Sequence, residues 1–455
     1  MGSEPAAAAR LPERLPGLEW ITEPARVARL SQDFSWFSPV LKRQLADKRA
    51  AVAVRPRVEE EVRRVVAACA EERVPITLRG SGTGNYGQSV PLHGGVLLDL
   101  SACNAFGWVE GDVGRAQAGI RLADFDRQAR PHARELRWLP STFRSATLGG
   151  LFGGGFGGAG SITYGPMAAP GNVLGARVMS VEPEPCIVEL RSPEAMLLHH
   201  VYGTNGIVLE LEVALAPAIA WVECIARFDA FDAALEFAST IASAPGIVKK
   251  EVCFLAAQIV RLIPAIAEFA RNEGHAVLLL VAPASEAALS ELIARFDGAL
   301  SYRKSAEEVS RSNRTLLEYT WNHTTLHALK VDKGLTYIQS RFDPPRHVEQ
   351  AKALERLLGG EVLMHLEFLR GLDGAVNASG LQLIRYTSDA RLDEIMQIHR
   401  DAGIGINNPH VFVVEDGGKQ TSLDPGVVAM KQRFDPHGLL NPGKLRSWDR
   451  RSPAR

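Results

Sequence analysis

Hydrophobic and polar positions alternate along this chain with two different periods. Ala51-Val52-Ala53-Val54 is a short apolar run that predicts a buried strand. After Pro56, the residues Val58, Val62, Val65, Val66 and Cys69 recur at helical spacing, with Glu59, Glu60 and Glu61 in the first turn, where the helix dipole favours acids. Pro75 ends that helix, and Ile76-Thr77-Leu78 and Val96-Leu97-Leu98-Asp99-Leu100 read as strands. A further amphipathic helix begins at Gly119 to Phe125. Asn172 to Val178 and Leu209 to Leu215 read as strands, and Pro217 closes this part of the chain. From about residue 219 to 400 strands and helices alternate: Trp221 to Phe228, Phe231 to Ile241, Val248 to Phe254, Ala276 to Val281 and Ser285 to Phe296. That order predicts an α+β unit with an antiparallel sheet covered by helices on one face.

Two glycine-rich tracts interrupt the pattern. The first is Arg79-Gly80-Ser81-Gly82-Thr83-Gly84-Asn85-Tyr86-Gly87-Gln88-Ser89. The second runs from Thr147-Leu148-Gly149-Gly150 to Gly160, with Leu148, Leu151, Phe152 and Phe156 among the glycines, which a solvated linker would not need. Without Cβ atoms, backbone N–H groups can converge on an anion or on a flat ring. Two such tracts suggest a ligand with a phosphate bridge and a large planar end, as a flavin dinucleotide has. Gly82 to Gly87 spells G-x-G-x-x-G, but that motif opens a helix in a dinucleotide-binding βαβ unit, and here Pro91 and a strand follow. Gly82 to Ser89 nearly spells a P-loop, but Gln88 stands where lysine is required. A strand–loop–strand anion nest remains.

Composition changes the picture only by exclusion. The chain has 455 residues, 46% hydrophobic and 23% charged, with a net charge of −1. That length suits two or three domains, and that charge gives no general attraction to nucleic acid or anionic membrane. The five cysteines (Cys69, Cys103, Cys186, Cys224, Cys253) form no C-x-x-C pair and read as buried thiols of a reducing compartment. Met1 to Trp20 lacks an apolar signal core, and the longest apolar run, Ala276 to Ala282, is too short to cross a bilayer. A cytoplasmic protein without a transmembrane segment is expected.

Five motifs in order resemble the FAD-linked oxidases of the vanillyl-alcohol oxidase/p-cresol methylhydroxylase (PCMH) superfamily, in particular the glycolate oxidase and D-lactate dehydrogenase branch. They are the Arg79–Ser89 loop, Ala146-Thr147-Leu148-Gly149-Gly150, Asn172-Val173-Leu174-Gly175, Gly203-Thr204-Asn205-Gly206-Ile207-Val208, and the terminal Phe434-Asp435-Pro436 with Leu440-Asn441-Pro442-Gly443-Lys444. The resemblance implies an α+β fold: an N-terminal extension (1–44), a two-part PCMH-type FAD-binding domain (45–218), an α+β cap with an antiparallel sheet (219–400), and a C-terminal segment (401–455) returning to the FAD domain. By motif match, Arg79, Gly80, Ser81, Gly82, Thr83, Gly84, Asn85, Gln88 and Ser89 would hold the pyrophosphate side. Ser141, Thr142, Thr147, Gly149 and Gly150 would line the dinucleotide, and Gly158, Ser161, Tyr164 and Gly165 would approach the flavin. Gly206, Ile207 and Val208 would touch the flavin or adenine end, and Asn441 and Lys444 would close over the ring. Non-covalent FAD is expected: Thr83 stands where tethering families have histidine, and no cysteine lies between Cys103 and Cys186. A tether from the cap or tail, for instance at His410, stays open.

The branch often carries a metal-binding H-x-G-D-G-N-x-H. The comparable stretch here is Val362 to Arg370, which lacks the glycine-aspartate core and the second histidine, so no metal is expected. His365-Leu366-Glu367 also spells the H-x-E of zinc deaminases, but no P-C-x-x-C follows. Oxidising a hydroxyl-bearing carbon by hydride transfer to flavin N5 requires a base for the hydroxyl proton and, for an acid substrate, a cation. Candidates are His365 or His410 as base, Glu367 as its orienting partner, and Arg341 or Arg370 as clamp. Tyr319 to His327 could supply an aromatic wall and another base; alternatively His323 and His327 share a solvated helix face. His199 and His200 read as packing or surface residues. The expected function is oxidation of a small hydroxylated substrate, with a D-2-hydroxy acid as first guess. The alternatives are a sugar, lactone or aromatic-alcohol oxidase on the same scaffold and a non-catalytic electron-relay subunit. The expected partners are the small-molecule substrate and an unidentified electron acceptor, with a homodimer an open option.

Overall fold

The structure, a computed structural model, describes residues 4–449 except 156, 272 and 419–423. Phe156, one of the apolar residues of the second tract, therefore lies outside the described residues. The first sheet consists of β1 (Trp20–Ile21), β2 (Val52–Val54), β3 (Ile76–Arg79) and β4 (Val96–Asp99), in the order β1-β2-β4-β3. Both β2 and β3 run parallel to β4. Parallel strands need a crossover, and the helix Glu59–Glu71 supplies it between β2 and β3, burying Val62, Val65, Val66 and Cys69. It begins at Glu59, not at Pro56, because Val58 is still extended. No helix joins β3 to β4: the first glycine tract crosses from one to the other as irregular backbone.

The N-terminal extension is part of this layer. Ala7, Ala8 and Leu11 share a core with Val52, Val65 and Leu98, and Trp20 and Ile21 pair with Val54 and Ala53.

The second sheet contains β5 (Phe106–Glu110), β6 (Val113–Gln117), β7 (Arg134–Leu136), β8 (Val173–Met179), β9 (Ile187–Arg191) and β10 (Ile207–Pro217). Its order is β5-β6-β10-β8-β9, with β7 on the end of β10, and every pairing is antiparallel. Against this sheet packs an element the sequence pattern hides. Leu148–Gly154 is helical although four of its seven residues are glycine. Each glycine costs a helix about 1 kcal/mol. Burial of Leu148, Leu151 and Phe152 in the main core offsets that cost, and the Thr147 hydroxyl caps the helix by accepting from Gly150 N at 3.2 Å.

The third sheet has eight strands: β11 (Val222–Phe228), β12 (Lys249–Leu255), β13 (His275–Val281), β14 (Ala299–Lys304), β16 (Gln339–Phe342), β18 (His365–Arg370), β19 (Val376–Gly380) and β21 (Gly405–Asn407). The order is β14-β11-β13-β12-β18-β19-β16-β21. A small sheet of β15 (Leu335–Tyr337), β17 (Val362–Leu363) and β20 (Leu383–Arg385) lies beside it. Strand alternation splits the large sheet's core in two. Val222, Cys224, Ala226, Phe228, Val252, Phe254, Val277 and Leu279 pack under the helices Phe231–Ser243, Glu286–Arg295, His347–Leu358 and Asp389–Asp401. Ile225, Cys253, Leu255, Ala276 and Leu278 join the core that contains Leu148, Phe152 and Leu211. This sheet extends past residue 400, since β21 pairs with β16.

The chain then returns to the first layer. Phe434 O accepts from Val181 N at 2.7 Å, Leu439 O from Ile76 N at 2.8 Å, and Asn441 N donates to Ile76 O at 2.7 Å. Among the cysteines, Cys186 is exposed and the other four are buried, so the expectation of buried thiols fails at that one position. No helix among the described residues is long and apolar enough to cross a membrane.

Candidate functional site

A cavity of about 580 Å³ lies where the three layers meet. Its wall includes Arg79, Gly80, Ser81, Gly82, Thr83, Gly84, Asn85, Gln88 and Ser89 from the β3–β4 crossing. Ser141 and Thr142 come from the segment before the second tract, Thr147, Gly149 and Gly150 from the tract itself, and Gly206 and Val208 from the start of β10. At the far end Trp321, Asn322, Gln339, Arg341, Asn377 and Asn407 reach it from the large sheet and its flanks. Among the described residues no aspartate or glutamate lines the cavity; the wall carries two guanidinium groups, Arg79 and Arg341, and one imidazole, His200.

The glycines are needed for closeness. A Cβ on Gly80 would overlap the Thr147 hydroxyl, and one on Gly84 would overlap the Gln88 amide. The first tract and the capped helix can therefore meet only as bare backbone. Polar atoms are left waiting between them: Asn85 Nδ2 and Gln88 Oε1 are buried without a partner. Gln88 Nε2 is spent on Gly154 O at 2.5 Å. The Arg79 guanidinium donates to Gln32 O at 2.7 Å and meets no carboxylate, and burial pulls its pKa down although Asp99 and Asp33 oppose the shift. A half-buried guanidinium without a carboxylate partner, beside the free Asn85 amide N–H and bare backbone, suits a diphosphate.

Several expected residues stand elsewhere. Gly158, Ser161, Tyr164 and Gly165 do not line the cavity. Their segment turns onto β12, with Gly160 N on Lys250 O and Thr163 Oγ1 on Lys249 O at 3.0 Å. There Ser161 Oγ accepts from Gly158 N, Gly165 O accepts from Trp138 Nε1, and Tyr164 packs under the Arg137 guanidinium. Ile207 points into the first sheet's core, because strand alternation puts only its neighbours Gly206 and Val208 on the cavity side. Asn441 and Lys444 act on the wall from behind. Asn441 Nδ2 donates to Gln88 O at 2.8 Å and Tyr202 O at 2.7 Å, and Lys444 Nζ donates to Gly87 O. Burial pushes the Lys444 ammonium down to about 7, with Asp33 opposing.

The expected catalytic groups divide sharply. Arg341 lines the cavity, its Nε 2.9 Å from Asp343 Oδ1. Arg370 instead closes the β18–β19 hairpin by donating to Gly374 O at 2.8 Å. His410 is buried away from the cavity, with Nδ1 2.8 Å from Ser38 Oγ, and burial pushes it down to about 4. His365 and Glu367 are fully buried and also off the wall. His365 Nε2 lies 2.8 Å from Glu367 Oε1, and Trp321 stands between the pair and the cavity, its backbone N–H donating to the same Oε1 at 2.5 Å. Burial pushes His365 down to about 3 and Glu367 up to about 7. Neither faces a bound molecule directly, so the expectation of His365 or His410 as a base in the cavity is corrected. Cys253 Sγ lies 3.5 Å from His365 Nε2, so thiol, imidazole and carboxylate sit within 4.8 Å of one another, already engaged among themselves and with Trp321.

From the aromatic segment only Trp321 and Asn322 reach the cavity. His323 and His327 do share a helix face, which is half-buried rather than fully solvated: Tyr319 packs 4.8 Å from His327, and burial pushes both pKa values down. His200 and Tyr202 line the wall on left-handed backbone (φ 55° and 56°), and His200 N donates to Phe152 O at 3.0 Å. The expectation of a packing or surface role for His200 is corrected by its place on the wall, just before the Gly203–Val208 motif.

A glycine-walled cavity free of carboxylates, with an unpaired guanidinium at one end, defines a protein built to hold a dinucleotide. Residues 50–183 match the family model of an FAD binding domain. An uncharacterized FAD-linked oxidoreductase of Mycobacterium tuberculosis is 32% identical over 134 residues, 29% of this chain and 28% of the length of that relative. Glycolate oxidase subunit GlcD of Bacillus subtilis is 24% identical over 440 residues, 88% of this chain and 89% of GlcD. Among solved structures, an alkyldihydroxyacetonephosphate synthase superposes with a TM-score of 0.75 at 15% identity, over 97% of this chain and 85% of that one, which is a likeness of fold. Residues 50–183 are by the family match an FAD binding domain, and the cofactor is FAD.

Proposed function

We propose that this protein oxidises a small hydroxylated substrate carrying an anionic group, a D-2-hydroxy acid in the first instance, with non-covalent FAD as electron acceptor. FAD supplies a two-electron acceptor that the amino acids themselves lack. Arg79, Asn85 and the bare backbone of the two tracts would hold its diphosphate, Gln88 ties the first tract to Gly154, and Asn441 and Lys444 keep the first tract in place. The observation that carries the substrate reading is the far end of the cavity: Arg341 is the cation there, its carboxylate partner, Asp343, lies off the wall, and among the described residues no carboxylate on the wall itself faces a ligand. Arginine pairs with a substrate carboxylate in bidentate fashion. Gln339, Asn377 and Asn407 surround it with groups that bond hydroxyls. Gln339 Oε1 accepts from Tyr86 at 2.6 Å and Asn407 at 3.1 Å, so its amide N–H groups are left for a ligand. Trp321, Leu369 and Leu381 form an apolar cluster on the same wall and would exclude water. The names of relatives such as GlcD point the same way, at low identity.

The test is anaerobic mixing of the yellow protein with D-2-hydroxy acids, sugars and aromatic alcohols. The hydroxy acids should bleach the flavin band. Arg341→Met should raise the half-saturating concentration by about 10- to 100-fold, as loss of a charged hydrogen-bond pair does. Bleaching by uncharged alcohols alone, indifferent to Arg341→Met, would refute the reading.

A further inference from the structure

Trp321 opens the helix Trp321–Val331 on left-handed backbone, φ 50°. A bulky aromatic residue is rarely found there and stays only when its surroundings hold it. Two carboxyl groups do so. Trp321 N–H donates to Glu367 Oε1 at 2.5 Å, and the indole Nε1–H donates to Glu251 Oε2 at 3.0 Å. Both acids are buried, at 0% and 1% exposure, on adjacent strands β18 and β12. They project from one sheet face: Cys253 pairs with Glu367 across the strands, and Glu251 lies two residues before Cys253. Neither acid meets a lysine or arginine; beside each other and the Cys253 thiol, their partners are His365 Nε2, at 2.8 Å from Glu367, and Val252 N, at 3.0 Å from Glu251.

Burying two acids without a cation is expensive, and apolar residues at these sheet positions would pack as well. What the acids do that apolar residues cannot is accept from both N–H groups of one tryptophan. That tryptophan forms a separate apolar cluster with Leu369 and Leu381, and all three line the cavity whose wall Arg341 also joins.

We propose that Glu251 and Glu367 are positioning residues that fix the Trp321 indole as the wall of the substrate end, where it selects substrates by shape beside Arg341. The selection rests on the reading of that end as the substrate end; the fixing of the indole does not. Two readouts therefore separate the claims. Uniform 5-fluorotryptophan labelling of the FAD-loaded protein gives seven fluorine resonances for its seven tryptophans, and Trp321→Phe identifies the one from Trp321. Glu251→Leu should move or broaden that resonance and spare the rest, whereas Glu251→Gln, which keeps an acceptor oxygen, should restore it. An unmoved Trp321 resonance in Glu251→Leu overturns the proposal whether or not a substrate is known. With the hydroxy acid that bleaches the flavin, Trp321→Phe should raise the half-saturating concentration at least tenfold with FAD content unchanged, and Glu251→Leu should add nothing further in that background. A change under twofold in Trp321→Phe, or full additivity of the two, overturns the selection. Should Glu251→Leu fail to fold, Trp321→Phe with and without Glu251→Gln decides alone: a tenfold rise in both supports the proposal, and none in either refutes it.

Discussion

Arg79→Met should change sign between the apoprotein and the holoprotein. In the structure the guanidinium has backbone and hydroxyl partners, Gln32 O at 2.7 Å and Ser89 Oγ and Ser81 O at 3.4 Å each, and no carboxylate. Without an anion it is a desolvated charge held by one good hydrogen bond, and replacing it with an apolar chain should leave the apoprotein as stable or stabilise it by about 1 kcal/mol. With FAD bound, a charged hydrogen bond to the diphosphate would be lost. That interaction is worth about 1.5–3 kcal/mol, which at about 1.4 kcal/mol per decade means roughly 10- to 150-fold weaker FAD binding. The assay is titration of deflavinated protein with FAD, followed by flavin fluorescence at low and high salt, beside thermal unfolding of both forms. The parent should lose affinity with salt and the variant should lose less, because a charge pair is missing. A dissociation constant within about threefold of the parent's, or an apoprotein destabilised as much as the holoprotein, would refute the assignment of Arg79 to the diphosphate.

Two other positions make independent tests. Gly149→Ala puts a Cβ 2.6 Å from the Ala118 Cβ and 3.1 Å from its carbonyl oxygen, so the helix Leu148–Gly154 must shift; a loss of about 1–3 kcal/mol in unfolding stability with reduced FAD content is expected, and an unchanged melting temperature with full FAD content counts against it. Lys444 is pushed down to about 7 by burial. Below pH 7 both folded and unfolded forms carry its proton and the cost of the buried charge is borne in full. Between about 7 and the ordinary lysine value of about 10.4 the folded form releases the proton first, so apoprotein stability should rise with pH, by at most about 1.4 kcal/mol per unit. Denaturant midpoints of the apoprotein across that window should show the slope in the parent and a flatter one in Lys444→Met; parallel slopes would remove Lys444 as its source.

Much of the cofactor side was readable because its determinants are local. Pro75, a three-residue apolar run, glycines, Pro91 and a second apolar run can form only strand, loop and strand, and that order alone excluded a helix after the first tract. The second tract misled for the opposite reason. Its glycines argue against a helix residue by residue, and only the distant surfaces that bury Leu148, Leu151 and Phe152 tip the balance. Phase was the other obstacle. Ile207 lies on a strand that begins two residues before the Leu209–Leu215 run, and His365 on one that the pattern did not mark; whether a strand residue meets a ligand depends on one step of alternation. For His365 even the right face was insufficient, since a helix from elsewhere in the chain lays Trp321 over it.

The distribution of acids ties the two ends of the cavity together. The chain has 52 aspartates and glutamates, yet among the described residues none faces the cavity. Those nearest are disarmed. Glu367 and Glu251 lie behind Trp321, and burial pushes both carboxyl groups upward towards the neutral form. Asp33 is buried, with burial pushing it up as well and the Lys444 ammonium opposing. Asp343 is turned onto Arg341 at the surface. A wall that needed only to hold FAD would have to be free of negative charge at the diphosphate alone, around Arg79. Along the wall itself the absence of carboxylates continues to Arg341, on the large sheet, whose carboxylate partner Asp343 lies off the wall. The economy of that arrangement is an anion at each end: the cofactor's diphosphate at Arg79 and the substrate's own charge at Arg341.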